Sequence, residues 1–195
     1  MNIFPQKKEF WLLILLVLFA LGLRLGYDGF LKNAYFFYNN PGSDVMYYQN
    51  WAHEIASGNW IGDKTFFGLP LYPYCLGLLE RLCLGHPGLI RFAHLLIGSL
   101  NCVLIFIIAK KIFSARIAWI AAILAATNFM LIYYDWLMMP VPLIIMLTCI
   151  IILGLLHKND IKGLRDWVIL GLLIGLPILG DGKLLFFFAL LLVFI

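Results

Sequence analysis

Charge is what this sequence has least of: 12% of its 195 residues are Asp, Glu, Lys or Arg, against 64% apolar residues and a mean hydropathy of +0.97. An ordinary soluble domain carries about 25% charged residues. So few charges cannot cover this much Leu, Ile and Phe, and the solvent for most of the chain is lipid. CxxC pairs are also absent. Cys75, Cys83, Cys102 and Cys149 show no metal-ligand spacing and read as free thiols. The chain lacks a glycine-rich phosphate loop and a βαβ pattern, which excludes a soluble nucleotide-sugar site. No internal repeat and no Gly/Ser linker divides it into domains. The net charge of +4 does not imply nucleic acid, because membrane proteins collect their positive residues in cytoplasmic loops.

What is present is a series of apolar stretches. Lys7 and Lys8 precede a first span over about 10–25, read as uncleaved because Ala20-Leu21-Gly22 is a poor cleavage site. Arg24 is expected near its outer end, where a long side chain can snorkel. From about 26 to 88 the chain gathers Asp28, Asp44, Glu54, Asp63 and Glu80 with most of its Tyr, Trp and Pro, the mark of a large polar loop. Further spans are expected at about 89–109, 117–134, 137–156, 166–180 and 184–195. The forty residues from Ile117 to Leu156 hold one charge, Asp135. As one helix they would be twice the ~30 Å thickness of the hydrocarbon core, so a reversal is expected at Tyr133-Tyr134-Asp135-Trp136.

The fold class that follows is all-α: a multi-pass integral membrane bundle of about six spans, one membrane domain, with interfacial helices in its first loop. Lys7, Lys8, Lys110, Lys111, Arg116, Lys158, Lys162 and Arg165 fall on one side and Lys183 alone on the other. The amino terminus is therefore expected in the cytoplasm of a plasma (inner) membrane protein. The loop and the turns at Asp135 and Asp181 then share the extracytoplasmic face. The chain stops inside its sixth apolar segment and is expected to be the amino-terminal part of a longer protein.

Within the loop, Pro41-Gly42-Ser43-Asp44 marks a helix start, and Tyr47, Tyr48, Trp51, Ala52 and Ile55 form an apolar stripe expected to lie on the membrane surface. Gly58 ends that helix. Leu69 to Leu84 offers a second interfacial helix, with Pro70 and Pro73 in its first turns and Gly85 beyond it. Asp44 reads either as a first-turn acid complementing the helix dipole or as a working carboxylate at the membrane surface. Asp135 is harder to place as mere structure, since an acid near hydrocarbon needs a partner or a task. Asp181 and Lys183 read as solvating a turn, and His94 and Asn101 as satisfying one another or backbone. Arg91, one turn before His94, can face a phosphate. Asp44, His53 and Glu54 leave a divalent ion open as an option, and no other cofactor is called for.

The run Asp44-x-x-Tyr47-Tyr48-x-x-Trp51-Ala52, Gly58, Phe66-Phe67-Gly68-Leu69-Pro70-Leu71-Tyr72-Pro73-Tyr74 and Gly85 resembles the first outer loop of C-type (GT-C fold) membrane glycosyltransferases. It is most similar to the branch holding dolichyl-phosphate-mannose protein mannosyltransferases and bacterial aminoarabinose transferases. Arg91-x-x-His94-x-x-x-Gly98 and Tyr133-Tyr134-Asp135 extend the likeness to the expected fourth span. The resemblance implies a sugar donor on a polyprenyl phosphate and inverting transfer to the hydroxyl of a lipid, glycan or protein acceptor at the extracytoplasmic face. It implies Asp44 as the first-loop catalytic acid and Asp135 as a second. A departing phosphate needs a cation, for which Lys64, Arg91 and Lys183 are the candidates, with Arg81 also on that side. Gly68 and Leu69 stand where aminoarabinose transferases have a lysine.

Two other classes compete. A non-catalytic scaffold or lipid-binding remnant would keep the fold without turnover, and a second chain could complete it. A transporter would use Asp135 and Arg91 along a pathway.

Overall fold

The computed structural model describes residues 7–32, 42–61, 68–156 and 163–193. Every regular element among them is a helix. Two are long and apolar enough to cross a membrane singly: α1 (Lys7–Lys32) and, following the outer loop, α4 (Pro87–Ile112). At 1.5 Å of rise per residue each is roughly 39 Å long, enough for a ~30 Å core. Pro87 starts α4 at a position where its missing N–H costs nothing, and Lys110 and Lys111 favour its negative end. Ion pairs at both ends set α1 and α4 antiparallel. Lys110 Nζ donates to Glu9 (2.5 and 2.7 Å) at one end, and Arg91 donates to Asp28 (3.1 Å) at the other.

α1 runs on through Asp28 to Lys32 instead of ending near residue 25. Arg24 does not snorkel. It is 1% exposed and faces the interior of the bundle.

After Phe113 the chain turns into α5 (Ala115–Thr127), capped by the Ser114 hydroxyl. Ala118, Ala122, Ala125 and Ala126 are buried, and this small-residue face lets α5 approach α4 closely, as helices in lipid prefer. Asn128 adopts an extended backbone, interrupts the helix and caps α6 (Phe129–Leu137) by accepting the Leu131 N–H (3.1 Å). α5 and α6 are bent by 51° there and together make a third candidate crossing. α6 carries straight through Tyr133-Tyr134-Asp135-Trp136, because Asp135 finds a partner inside the bundle and has no need of water. The reversal comes later, at Met138, whose backbone is left-handed (φ 58°), and at Pro140, which cannot continue a helix.

α7 (Val141–Leu156) follows, a shorter apolar helix. α8 (Leu164–Ile178) and α9 (Leu184–Val193) flank a turn at 179–183. Ile151 and Leu155 of α7, Leu170 of α8 and Phe188 of α9 form the core joining these three.

The two remaining helices are α2 (Ser43–Ser57) and α3 (Leu71–Leu82). Gly42 and Gly58 bound α2 with φ of 98° and 111°, conformations that glycine adopts without a Cβ penalty. Trp51, Ala52 and Ile55 are buried, but against α3 and not against lipid. Gly77 of α3 makes this possible: a Cβ there would lie 2.8 Å from the Ala52 carbonyl oxygen. The apolar stripe of α2 is thus consumed by its neighbour, and the two helices form one body.

Candidate active site

Asp44 occupies the first turn of α2, where a carboxylate meets the positive end of the helix dipole. It is exposed. The tyrosines one turn on face the segment that leads into α3. A Cβ on Gly68 would lie 3.2 Å from the Tyr48 ring and 3.3 Å from the Tyr47 ring, and the Tyr47 hydroxyl accepts the Gly68 N–H (3.4 Å). The start of α3 in turn touches the 179–183 turn. Leu71 N–H donates to the Leu179 carbonyl (3.1 Å), and Gly180 packs against Leu71 and Ile144. Within that turn the Asp181 carboxylate accepts the Lys183 N–H (3.0 Å), and the Lys183 side chain is exposed. Burial, with the charges of Asp44, Tyr47 and Asp181 adding to it, raises the Tyr48 phenol above its ordinary value of 10.0. Tyr48 thus lies between the turn of α2 that bears Asp44 and the segment that leads, through Leu71, to the 179–183 turn.

Aromatic rings follow one another along the α2–α3 pair. Tyr47 sits 5.8 Å from Trp51, Trp51 6.2 Å from Tyr74, and Tyr74 6.3 Å from Trp60, whose carbonyl accepts the Tyr74 hydroxyl. Rings in this arrangement suit the faces of a sugar or an isoprenoid. His53 turns away from Asp44 and bonds Glu80 of α3 (2.7 Å), which raises the imidazole above its ordinary 6.5. Among the described residues no three His, Cys, Asp or Glu side chains converge as metal ligands.

Asp135 is set quite differently. It is 3% exposed, and Arg24 Nε donates to its Oδ2 at 2.6 Å. The same guanidinium donates to the carbonyls of Ala20 (3.1 Å) and Gly98 (3.2 Å). Gly98 is the residue that lets the carboxylate in, since a Cβ there would fall 2.0 Å from Oδ2. One turn after Arg24, Asp28 accepts from Arg91 (3.1 Å), Trp136 Nε1 (3.1 Å) and Lys32 (2.8 Å), with the Arg91 guanidinium 5.4 Å above the Trp136 ring. Arg91 is thereby held by an acid. Lys64 lies outside the described residues. Asn101 does not pair with His94; its amide donates to the Pro142 carbonyl (2.9 Å).

A family model described as dolichyl-phosphate-mannose-protein mannosyltransferase matches residues 64–195. The chain belongs to that family. Membership makes it a chain of the membrane glycosyltransferase class with the GT-C type of architecture. The match takes in the Pro70-Leu71-Tyr72-Pro73 segment, Arg91, His94, Asp135 and the Asp181 turn, while Asp44 precedes it. No curated protein and no solved structure matches the chain.

Arg24 and Asp28 are the participants that sequence reasoning missed. Their four-residue spacing puts both on one face of α1. Arg24 and Asp135, each isolated in an apolar stretch, were each other's least costly solution.

Proposed function

We propose that the chain supplies the donor-side membrane domain of a glycosyltransferase that takes its sugar from a polyprenyl phosphate and transfers it with inversion at the extracytoplasmic face. The observation that carries this reading is the exposed Asp44 carboxylate one turn before Tyr48, whose ring packs on the Gly68 segment that leads into α3 and its bond to the 179–183 turn. In the reaction the acceptor hydroxyl attacks the anomeric carbon and forms the new C–O bond as the bond to the phosphate oxygen breaks. Asp44 accepts the hydroxyl proton, and the polyprenyl phosphate leaves with its negative charge met by Lys183. Asp135 contributes in this reading by fixing α6 through Arg24. The orientation follows from Lys110 and Lys111 at the opposite end of α4 from Arg91, the end that retains positive charge on the cytoplasmic side. α7, α8 and α9 would complete the expected six crossings.

The test is sugar transfer from a panel of polyprenyl-phosphate sugars in reconstituted membranes, comparing the chain with Asp44→Asn. Loss of a base lowers turnover by about 10²–10⁴-fold. Equal turnover in the variant would remove Asp44 from the role. A non-catalytic, lipid-binding member of the fold is the second reading, favoured by the pairing of Arg91 with Asp28 and of Asp135 with Arg24, which neutralises two of the expected site charges. It predicts binding of polyprenyl phosphate without turnover.

A further inference from the structure

Two residues that stand out in the sequence take no part in the chemistry proposed above: Tyr72 of the Pro70-Leu71-Tyr72-Pro73 segment, and His94 one turn after Arg91. They meet in the structure. Tyr72 is 3% exposed, and its hydroxyl donates to the Met138 carbonyl at the left-handed end of α6. The same hydroxyl lies 3.2 Å from His94 Nε2, and His94 Nδ1 donates to the Asp135 carbonyl (2.7 Å). One surface helix, one membrane-spanning helix and the turn closing α6 are thus tied at a single polar point.

The surroundings show why that point matters. Gly77 locks α2 and α3 into one body, so whatever holds α3 also places Asp44. Ile90 and Met138 pack beside Tyr72, but farther along α3 the contact opens. An apolar cleft of about 190 Å³, bounded by Leu79, Ile97 and Leu143 with Tyr72 and His94 at one end, separates the helix from α4 and α7. Close packing is therefore missing along much of the seam, and directional bonds at Tyr72 substitute for it. From the other side Tyr48 sets its ring edge-on to Tyr72, with centroids 5.5 Å apart. Tyr48 thereby carries the constraint to the turn of α2 that bears Asp44.

We propose that Tyr72 and His94 are positioning residues: their joint to the carbonyls of Met138 and Asp135 fixes the α2–α3 pair, and with it Asp44, over the helix bundle. The catalytic consequence rests on the reading of Asp44 as the base. The mechanical one does not. Both are read from nitroxide pairs at Asn50 of α2 and Leu100 of α4, in a background with the four cysteines replaced by alanine and an unfolding temperature equal to that of the parent. Tyr72→Phe and His94→Ala are expected to broaden the distance distribution at unchanged helicity. Tyr74→Phe, whose lost bond to Trp60 stays on the surface pair, is expected to leave it as it was. In the transfer assay Tyr72→Phe lowers kcat on the order of 100-fold, the size of effect that small misplacement of a reacting group produces, while the donor KM stays unchanged.

A Tyr72→Phe distribution as narrow as the parent's would overturn the joint. So would loss of helicity in that variant, which would make Tyr72 a folding residue. Broadening in a chain without turnover would keep the joint and reject the reading of Asp44.

Discussion

Asp44 stands exposed on the first turn of α2, whereas Asp135 is closed inside the bundle against Arg24. Both are acids close to tyrosine and tryptophan in the sequence, and a motif treats them alike. Their environments do not. Asp44 sits exposed at the positive end of the α2 dipole. Asp135 has surrendered its solvation and recovered it from one guanidinium, so removing either partner leaves the other buried and uncompensated. What replaces water around each acid is what separates the two.

The contrast is broken most forcefully from the inside. Asp135→Leu leaves Arg24 without a counter-charge and is expected to cost about 3–5 kcal/mol of stability. The double variant Arg24→Met with Asp135→Leu should recover most of that loss, and thermal unfolding of the set in detergent closes the cycle. Gly98→Ala attacks the same pair sterically. With no room for a Cβ, it is expected to cost about 3 kcal/mol, at the upper end of overpacking penalties, in the same unfolding assay.

Gly77→Ala moves the test to the surface pair, where the Ala52 backbone cannot easily give way. A loss of about 2 kcal/mol is expected, seen as a lower unfolding temperature. The His53–Glu80 contact gives a smaller effect, with a sign set by pH. The folded imidazole titrates above its ordinary 6.5, so its contribution is complete below that value and disappears as pH rises through the raised one. The unfolding-temperature gap between the parent and His53→Gln should therefore close as pH is taken from about 5 to about 9. Smallest of all is Asp44→Asn, expected to change stability by less than about 0.5 kcal/mol, as for exposed sites generally, even though it abolishes the proposed chemistry.

Much of the outer architecture was legible in the chain. Gly42-Ser43 and Gly58 bracket α2 as written, and Pro70 and Gly85 bracket α3, because caps and breakers act locally. The reversal before α7 was misplaced for the opposite reason. Tyr133-Tyr134-Asp135-Trp136 has the composition of an interfacial turn, and only a partner 111 residues away makes it the interior of a helix. The stripe on α2 is legible as apolar but not as the face that meets α3, since periodicity reports that a face is buried without naming what buries it. Within the candidate site, the contact between the start of α3 and the 179–183 turn has no local signature at all. It follows from the Leu71 bond to Leu179 across the fold.

The acceptors at the Tyr72 joint are main-chain oxygens, one at Met138 and one at Asp135. A carbonyl is present whatever side chain the position carries. The docking address for the surface helices is therefore written in the path of the chain and not in its letters. Position 138 can change among residues that accept a left-handed backbone and fill the same core space without erasing its acceptor, whereas replacing either donor removes its bond.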